Sequence, residues 1–209
     1  MKRFNMTISR EFGCNAREIT RQLASRLGVK MYDKDLVDLA AKKAGIRLDM
    51  FTDVDRLIDS PEEKLIRSFG YGSTSGFYSD KAVKAQMDVI RDIANHSKEP
   101  CIFFGRCADY VLKEHPNTLN VFLYSDLDYR IAHMAEAYDL SYPAAERMIK
   151  RIDRQRHNYY KYVTGVNRSD HHLKHISLDV HHFGSDVVVD ILYDLVMREY
   201  GEESDRREE

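Results

Sequence analysis

Short apolar runs and amphipathic stretches alternate along most of the chain. The apolar runs predict strands at residues 4–9, 29–32, 101–104, 120–124 and 175–180. Apolar positions at helical spacing predict helices at residues 16–27, 34–43, 80–97, 107–113, 126–138, 141–160 and 186–200. Strands separated by helices predict an α/β fold on a parallel sheet with helices on both faces.

The turn between the first strand and the first helix has the frame of a phosphate-binding loop. A strand, a glycine-bearing turn and a helix open P-loop proteins, whose motif is G-x-x-x-x-G-K-[ST]. The matching positions here hold Arg10, Asn15, Ala16 and Arg17, so the lysine and the hydroxyl are both missing. Backbone amides and the positive end of the helix dipole remain available to an anion.

The predicted phosphate loop comprises Arg10, Gly13, Cys14, Asn15, Ala16, Arg17 and Glu18. Arginines 10 and 17 would supply the positive charge that the missing lysine gives elsewhere. Taken alone, this motif fits an ordinary strand, turn and helix with solvated charges equally well.

Polar residues follow three of the predicted strands. They are Ser9, the run Tyr32-Asp33-Lys34 with Asp33 as a helix cap, and Gly105-Arg106. Ligands of parallel sheets bind beyond the carboxyl ends of the strands, so we expect a site at this edge. Arg106 would bind an anion there, with Asp109 on the same helical face. The alternative is a surface charge in a turn, or a pair in which the two residues neutralise each other.

The densest basic stretch of the chain lies at residues 146–162. Arg147, Arg151 and Arg154 share one helical face, and tyrosines follow them. Such a helix is typical of a lid that closes over polyphosphate. Two alternatives stay open: a solvated helix neutralised by its own acidic residues, and a single-stranded nucleic-acid binder whose tyrosines stack on bases. The net charge of -2 weakens the second.

Length and composition fit a globular protein with one core or one domain and a mobile lid, since the chain has 209 residues, 43% of them hydrophobic. Three cysteines are too few for a disulfide framework and predict a reducing, cytoplasmic setting. The sequence shows no signal core and no apolar run near the ~20 residues of a membrane span.

His171 and His175 have helical metal-ligand spacing, but His172 replaces the glutamate of H-E-x-x-H, so no metal site is predicted.

Four segments resemble the cytidylate kinase-like family. Residues 6–19, MTISREFGCNAREI, are similar to the family's opening I-T-I-S-R-x-[FY]-G-S-G-G-R-E-I. Residues 32–36, 105–112 and 150–162 resemble its later motifs, in the same order along the chain. The resemblance extends from about residue 4 to about residue 200.

The resemblance implies a P-loop kinase fold with a parallel core sheet, a nucleoside-monophosphate arm and a lid. It also implies phosphoryl transfer from ATP to CMP or dCMP, with Mg²⁺. We therefore expect one domain over residues 1–200, with a helical arm at about 34–98 and a basic lid at about 141–165. A charged tail at residues 201–209 is expected to be disordered.

The resemblance further implies roles for single residues. Residues 13–18 would bind the donor phosphates, and Arg106 would contact the acceptor phosphate. The residues expected to be catalytic are Arg17, Arg106 and the lid arginines Arg151, Arg154 and Arg156. The residues expected to bind substrate are Asp33, Lys34, Arg106, Asp109 and the lid carboxylate Asp153.

Two departures separate this sequence from its relatives. Cys14-Asn15-Ala16 replaces the family's S-G-G, and Ala16 stands where the family already lacks the loop lysine. Cys107 stands where authentic cytidylate kinases have aspartate. We expect a nucleotide-binding protein with phosphoryl transfer as its candidate activity; a catalytically inactive nucleotide sensor or scaffold is the alternative. Its expected partners are small nucleotides and not membranes, and a homo-oligomer is left open.

Overall fold

A five-stranded, fully parallel sheet forms the centre of the computed structural model, which describes residues 1–45, 47 and 80–201. The strands are β1 (Asn5–Arg10), β2 (Lys30–Tyr32), β3 (Cys101–Phe104), β4 (Thr118–Tyr124) and β5 (Ile176–Asp179). Their order is β2-β3-β1-β4-β5, and in this register Ile8 pairs with Phe104 on one side and with Val121 on the other. The prediction of an α/β fold on a parallel sheet is confirmed.

The helices of the described residues connect these strands. They are α1 (Ala16–Leu27), α2 (Asp35–Ala44), α3 (Asp80–His96), α4 (Ala108–Val111), α5 (Leu127–Tyr138), α6 (Tyr142–Thr164), α7 (Val180–Phe183) and α8 (Ser185–Tyr200). A short 3-10 helix covers His171–Leu173. No helix in this part of the chain combines the length and the apolar character that crossing a membrane requires.

Several helix boundaries differ from the prediction by a few residues, and two of them concern residues singled out in the sequence. Residue 34, not Asp33, precedes α2, and the Asp33 amide donates to Oδ1 of Asp35, so Asp33 does not cap the helix. Helix α6 runs beyond residue 160 to Thr164, where Gly165 ends it with φ 76°. The part of the predicted helical arm at residues 46 and 48–79 lies outside the described residues, as does nearly all of the predicted tail.

A separate hydrophobic cluster lies on each face of the sheet. On one face Met6, Ile8 and Phe104 pack with residues of α1 and α8. On the other face Cys101 and Phe103 pack against α2, α3 and α4. Residues 103 and 104 point to opposite faces because side chains alternate along a strand. Helices therefore cover both faces, as predicted.

Strand β1 lies at the point where the order of the strands reverses. The chain runs from β1 to β2 and β3 on one side, and then to β4 and β5 on the other. Ligands of open α/β sheets bind beyond the carboxyl ends of the strands at such a point. The turn that follows Arg10 therefore occupies the position where this fold favours a ligand.

A third cluster supports that turn from outside the sheet. Phe12 packs with residues of α5 and α6, which also pack against each other. Gly13 lies directly on α5: a Cβ at this residue would come within 3.0 Å of Cγ of Met134 and 3.2 Å of Cβ of Arg130. The turn and α5 can approach this closely because residue 13 has no side chain.

A buried ion pair joins the sheet to α6. Asp109 is 1% exposed, and its Oδ2 accepts from Nζ of Lys174, whose side chain is 3% exposed. The same oxygen accepts from Oγ of Ser9 at 3.2 Å and from the hydroxyl of Tyr160 at 3.1 Å. One carboxylate thus holds together the end of β1, the start of α4, the last turns of α6 and the segment before β5.

Lys174→Met should leave the Asp109 charge buried without its cation. Breaking a buried pair in this way costs about 3–5 kcal/mol of unfolding free energy. Asp109→Asn combined with Lys174→Met removes both charges, so the double variant should recover part of this loss. Urea unfolding measures all three proteins, and a double variant no more stable than Lys174→Met would contradict the account.

Gly13→Ala tests the contact between the turn and α5. Gly13 has φ 89°, and Gly28 is left-handed too, with φ 66°, but no atom lies within 4 Å of the position of its Cβ. Gly28→Ala should therefore cost only the backbone penalty of about 1–2 kcal/mol. Gly13→Ala should cost about 1–3 kcal/mol more because of overpacking. Equal losses in urea unfolding would show that α5 does not constrain the turn.

Candidate functional site

Three successive backbone amides of the turn after β1, those of residues 13, 14 and 15, have no backbone acceptor in the part of the chain that the structure describes. Gly13 and Asn15 are both left-handed, and Asn15 precedes α1 without capping it through its side chain. Its Nδ2 donates instead to Oγ of Ser185 at 3.0 Å. The Ala16 amide hydrogen-bonds to the sulfur of Cys14. The next amides of α1 lack intrahelical acceptors, so this end of the helix retains donors for an anion.

The side chain of Cys14 connects the turn to the hydrophobic core. Its thiol is fully buried, and the carbonyls of Glu11 at 3.3 Å and Leu123 at 3.5 Å are the acceptors within reach of its single hydrogen. Burial raises the pKa of Cys14 to about 11, so the sulfur stays a neutral thiol at neutral pH. Cys14 is therefore a structural residue of the turn and not a nucleophile.

Ala16 fills the lysine position with a buried methyl group. The residue is 4% exposed and belongs to the hydrophobic cluster that contains Cys14 and Ile19. The position that carries an ammonium in a complete P-loop is thus part of the core in this chain.

Arginines gather at the carboxyl edge of the sheet beside this turn. The guanidinium of Arg10 lies 4.0 Å from the ring centre of Phe104, and that of Arg17 lies 5.6 Å from it. Nε of Arg17 is also 3.0 Å from Oδ2 of Asp33. The structure therefore brings together the ends of β1, β2 and β3 and the start of α1, the grouping that the sequence suggested.

Arg106 lies on a strained turn at the end of β3. Gly105, Arg106 and Cys107 are left-handed in succession, with φ 75°, 62° and 56°. Such a backbone is costly for residues that have a side chain, and strain of this kind concentrates at functional sites. Burial raises the pKa of Cys107, so its thiol is neutral and the charge of this turn comes from Arg106.

Asp153 connects α6 to the turn. Its Oδ1 accepts from the amide of Phe12 at 3.0 Å and from Nη2 of Arg168 at 3.1 Å, and its Oδ2 accepts from Nη1 of Arg130 at 2.6 Å. Arg130 also donates to the carbonyls of Phe12 and Ser125, both at 3.1 Å. Desolvation lowers the pKa of Arg168, and burial raises the pKa of Glu11, which lies 3.4 Å from Nε of Arg130.

Sequence reasoning identified Asp153 but missed Arg130 and Arg168. Arg130 lies within an unremarkable amphipathic helix, and Arg168 follows α6 in a segment that carries no motif. Nothing in the spacing of either residue points to the turn, because both reach it only through the packing of α5 and α6.

The predicted lid arginines lie in different places. Arg156 faces the turn, with its guanidinium 5.3 Å from the ring centre of Phe12. Arg151 and Arg154 are exposed, because the buried stripe of α6 runs through Ala145, Ile149 and Ile152. The structure thus brings Arg156 to the turn but not the other two arginines.

The remaining predicted substrate residues lie around the same edge. Lys34 is half-buried just before α2, and Asp33 contacts Arg17. Asp109 faces Lys174, Ser9 and Tyr160, and is buried below the surface on which a ligand would lie. Glu18 is exposed on α1 and accepts from Nε2 of Gln22 at 3.2 Å.

The histidines do not adopt the arrangement that their spacing suggested. In the described segment between α6 and β5, helical structure is limited to His171–Leu173. Nδ1 of His175 accepts from the amide of Asn120 at 3.0 Å, so His171 and His175 do not share a helix face. Asp170, His171 and His172 instead bring ligand atoms within 4.8 Å of one another at the surface.

Comparisons with known proteins agree with this fold. A structure of an uncharacterized protein from Eubacterium ventriosum is 23% identical, with a TM-score of 0.71 over 94% of this chain and 99% of that one. Shikimate kinase from Bacteroides thetaiotaomicron is 11% identical, with a TM-score of 0.52 over 92% of this chain and 98% of that one. At these identities the likeness concerns the fold alone.

A family model settles the relationship that the motifs suggested. No curated protein matches the sequence. The model of the cytidylate kinase-like family, however, matches residues 5–182, which include β1, the turn, α6 and β5. This chain therefore belongs to the cytidylate kinase-like family.

Proposed function

We propose that this chain binds a nucleotide over the turn after β1 and transfers a phosphoryl group from ATP to a nucleoside monophosphate such as CMP or dCMP. The observation that carries the proposal is the uncapped start of α1 beside Arg10 and Arg17. Backbone amides and two guanidinium groups lie there, at the edge of the sheet that this fold uses for ligands. Membership of the cytidylate kinase-like family supports the nature of the ligand.

Arg106 is the proposed contact for the acceptor phosphate. It lies at the end of β3, the strand next to β1, so a phosphate bound there would lie near one bound over the turn. Arginine suits this role because its planar group donates two parallel hydrogen bonds to phosphate. The strained backbone of residues 105–107 fixes the direction from which its side chain leaves the sheet.

Catalysis in such a site would consist of positioning and charge neutralisation. Phosphoryl transfer needs two substrates in line and donors for the charge on the transferred group. A lost electrostatic donor costs about 3–4 kcal/mol of transition-state stabilisation. Arg17 would compensate for the missing lysine, because it lies in the first turn of α1 next to Ala16.

The described residues do not fit a magnesium ion held by the protein. The position of the hydroxyl ligand holds Arg17, and the nearby carboxylates of Asp33 and Asp109 contact Arg17 and Lys174. Mg²⁺ usually keeps several waters and binds through substrate phosphates. In this chain Mg²⁺ would arrive with the phosphates of ATP.

A catalytically inactive nucleotide sensor is the second candidate. The buried methyl group of Ala16 favours it, because no side chain at this position can reach a terminal phosphate. This alternative keeps the same binding site and differs only in the absence of turnover.

The test compares Arg106→Ala with Arg91→Ala. Arg91 is exposed on α3 and pairs with Asp88 three residues earlier, so its loss removes the same charge far from the turn. Arg106→Ala should weaken binding of CMP about tenfold or more, since a hydrogen bond to a charged group contributes about 1.5–3 kcal/mol. Calorimetric titration measures the affinity, and Arg91→Ala should bind like the unaltered protein.

A coupled assay with ATP, Mg²⁺ and each nucleoside monophosphate then separates the two candidates. ADP formed only when an acceptor is present supports the kinase. Saturable nucleotide binding without ADP favours the sensor. If neither ATP nor any monophosphate binds, both candidates are wrong.

A further inference from the structure

The environment of Asp153 has the composition of an anion-binding site. Three donors converge on one carboxylate: the Phe12 amide and the guanidinium groups of Arg130 and Arg168. Their distances to its oxygens, 2.6–3.1 Å, are those of charge-assisted hydrogen bonds to carboxylate or phosphate. We call these three donors the Asp153 site.

We propose that the Asp153 site is a binding site for a phosphate group of the ligand, and that α6 fills it with its own carboxylate when no ligand is bound. The inference rests on the proposed function, since it concerns the terminal phosphate of the nucleotide at the same turn. Phe12 directly precedes Gly13, so the Asp153 carboxylate lies at the entrance of the turn whose amides would hold the other phosphates.

Two of the three donors keep their positions when the carboxylate leaves, because other contacts hold Arg130 and the Phe12 backbone. Arg130 is tied to the carbonyls of Phe12 and Ser125, and its Nε lies 3.4 Å from Oε2 of Glu11. That Glu11 oxygen also accepts from the amide of Ser125 at 3.3 Å. Glu11 thus provides a fixed counter-charge, and the opened site would hold one acid and two arginines.

The position of Asp153 on α6 allows this exchange. Asp153 is the only carboxylate among the described residues that accepts from the turn's backbone, and it belongs to a helix outside the sheet. Helix α6 reaches the turn mainly through the cluster of Phe12 with α5 and α6 and through this carboxylate. Entry of a phosphate would therefore require the part of α6 around Asp153 to move away from the turn, while the hydrogen bond from Tyr160 to Asp109 holds the last turns of the helix and the sheet stays unchanged.

Asp153→Asn tests the proposal, because it keeps the shape of the side chain and removes the competing charge. Inorganic pyrophosphate and ATP are the probes, titrated by calorimetry at one ionic strength. Asp153→Asn should bind both at least tenfold more tightly than the unaltered protein. Glu146→Gln is the matched control: Glu146 lies about two helical turns before Asp153, its side chain is 40% exposed, and it pairs with Lys150, so the affinity of this variant for both probes should not change.

Arg168→Gln tests whether the gain in affinity for pyrophosphate and ATP arises at the Asp153 site. Added to Asp153→Asn, it should abolish the tighter binding, because one of the three donors is lost. A gain that persists without Arg168, or that Glu146→Gln reproduces, would show a general charge effect and overturn the proposal. Unchanged or weaker pyrophosphate binding by Asp153→Asn would also overturn it, including the case in which no protein binds pyrophosphate.

The outcomes distinguish this inference from the proposed function. Tighter pyrophosphate binding without any ATP binding would support the Asp153 site and contradict the nucleotide proposal. If Asp153→Asn and the unaltered protein bind ATP equally well, the nucleotide proposal is supported and the Asp153 site is contradicted. If Asp153→Asn does not fold, hydrogen exchange in the unaltered protein decides: saturating pyrophosphate should speed exchange in α6 around residue 153, and unchanged exchange overturns the proposal.

Discussion

The turn after β1 is held by polar contacts that come from helices far along the chain. Asp153 accepts from the Phe12 amide, while Arg130 donates to the Phe12 carbonyl and to Asp153. Cys14 adds hydrogen bonds beneath the turn, and Gly13 allows α5 to approach. A buried amide or carboxylate without a partner is costly, so each of these groups constrains the others. The geometry of the candidate site therefore depends on α5 and α6 as much as on the P-loop-like sequence.

Loss of the loop lysine changes how charge is distributed in this fold. A complete P-loop carries its positive charge on a lysine inside the loop, whereas here residue 16 belongs to the core, and the positive charge around the turn comes from Arg10 and Arg17 of the motif and from Arg156 of α6. Guanidinium groups on different elements can respond to movement of those elements, which a lysine inside the loop cannot. Such an arrangement suits a site whose affinity depends on the position of a helix.

Most of the fold could be predicted because its signals are local. Helix α1 and strand β3 have the predicted bounds, since an apolar stripe closed by Gly28 and a run of four buried residues are unambiguous patterns. The predicted start of α2 was wrong by one residue, because Asp33 has the chemistry of a cap, whereas in the structure residue 34 precedes the helix and the Asp33 amide donates to Asp35. Capping depends on side-chain rotamers that sequence alone does not determine.

The site was less predictable because it is assembled from distant contacts. Residues of the turn and of the strand ends were found, since parallel strands must bring their carboxyl ends to one edge. Arg130, Arg168 and Lys174 were missed, as each depends on tertiary packing. Helical spacing grouped Arg151 and Arg154 correctly with each other, but it could not tell the exposed face of α6 from the face toward the turn.

A crystal structure with bound ATP tests the central claim, that the turn after β1 is an anion cradle without its lysine. The account predicts phosphate oxygens about 3 Å from the backbone amides of the turn and of the first residues of α1. A nucleotide bound elsewhere, with these amides making no contact to it, would contradict the account.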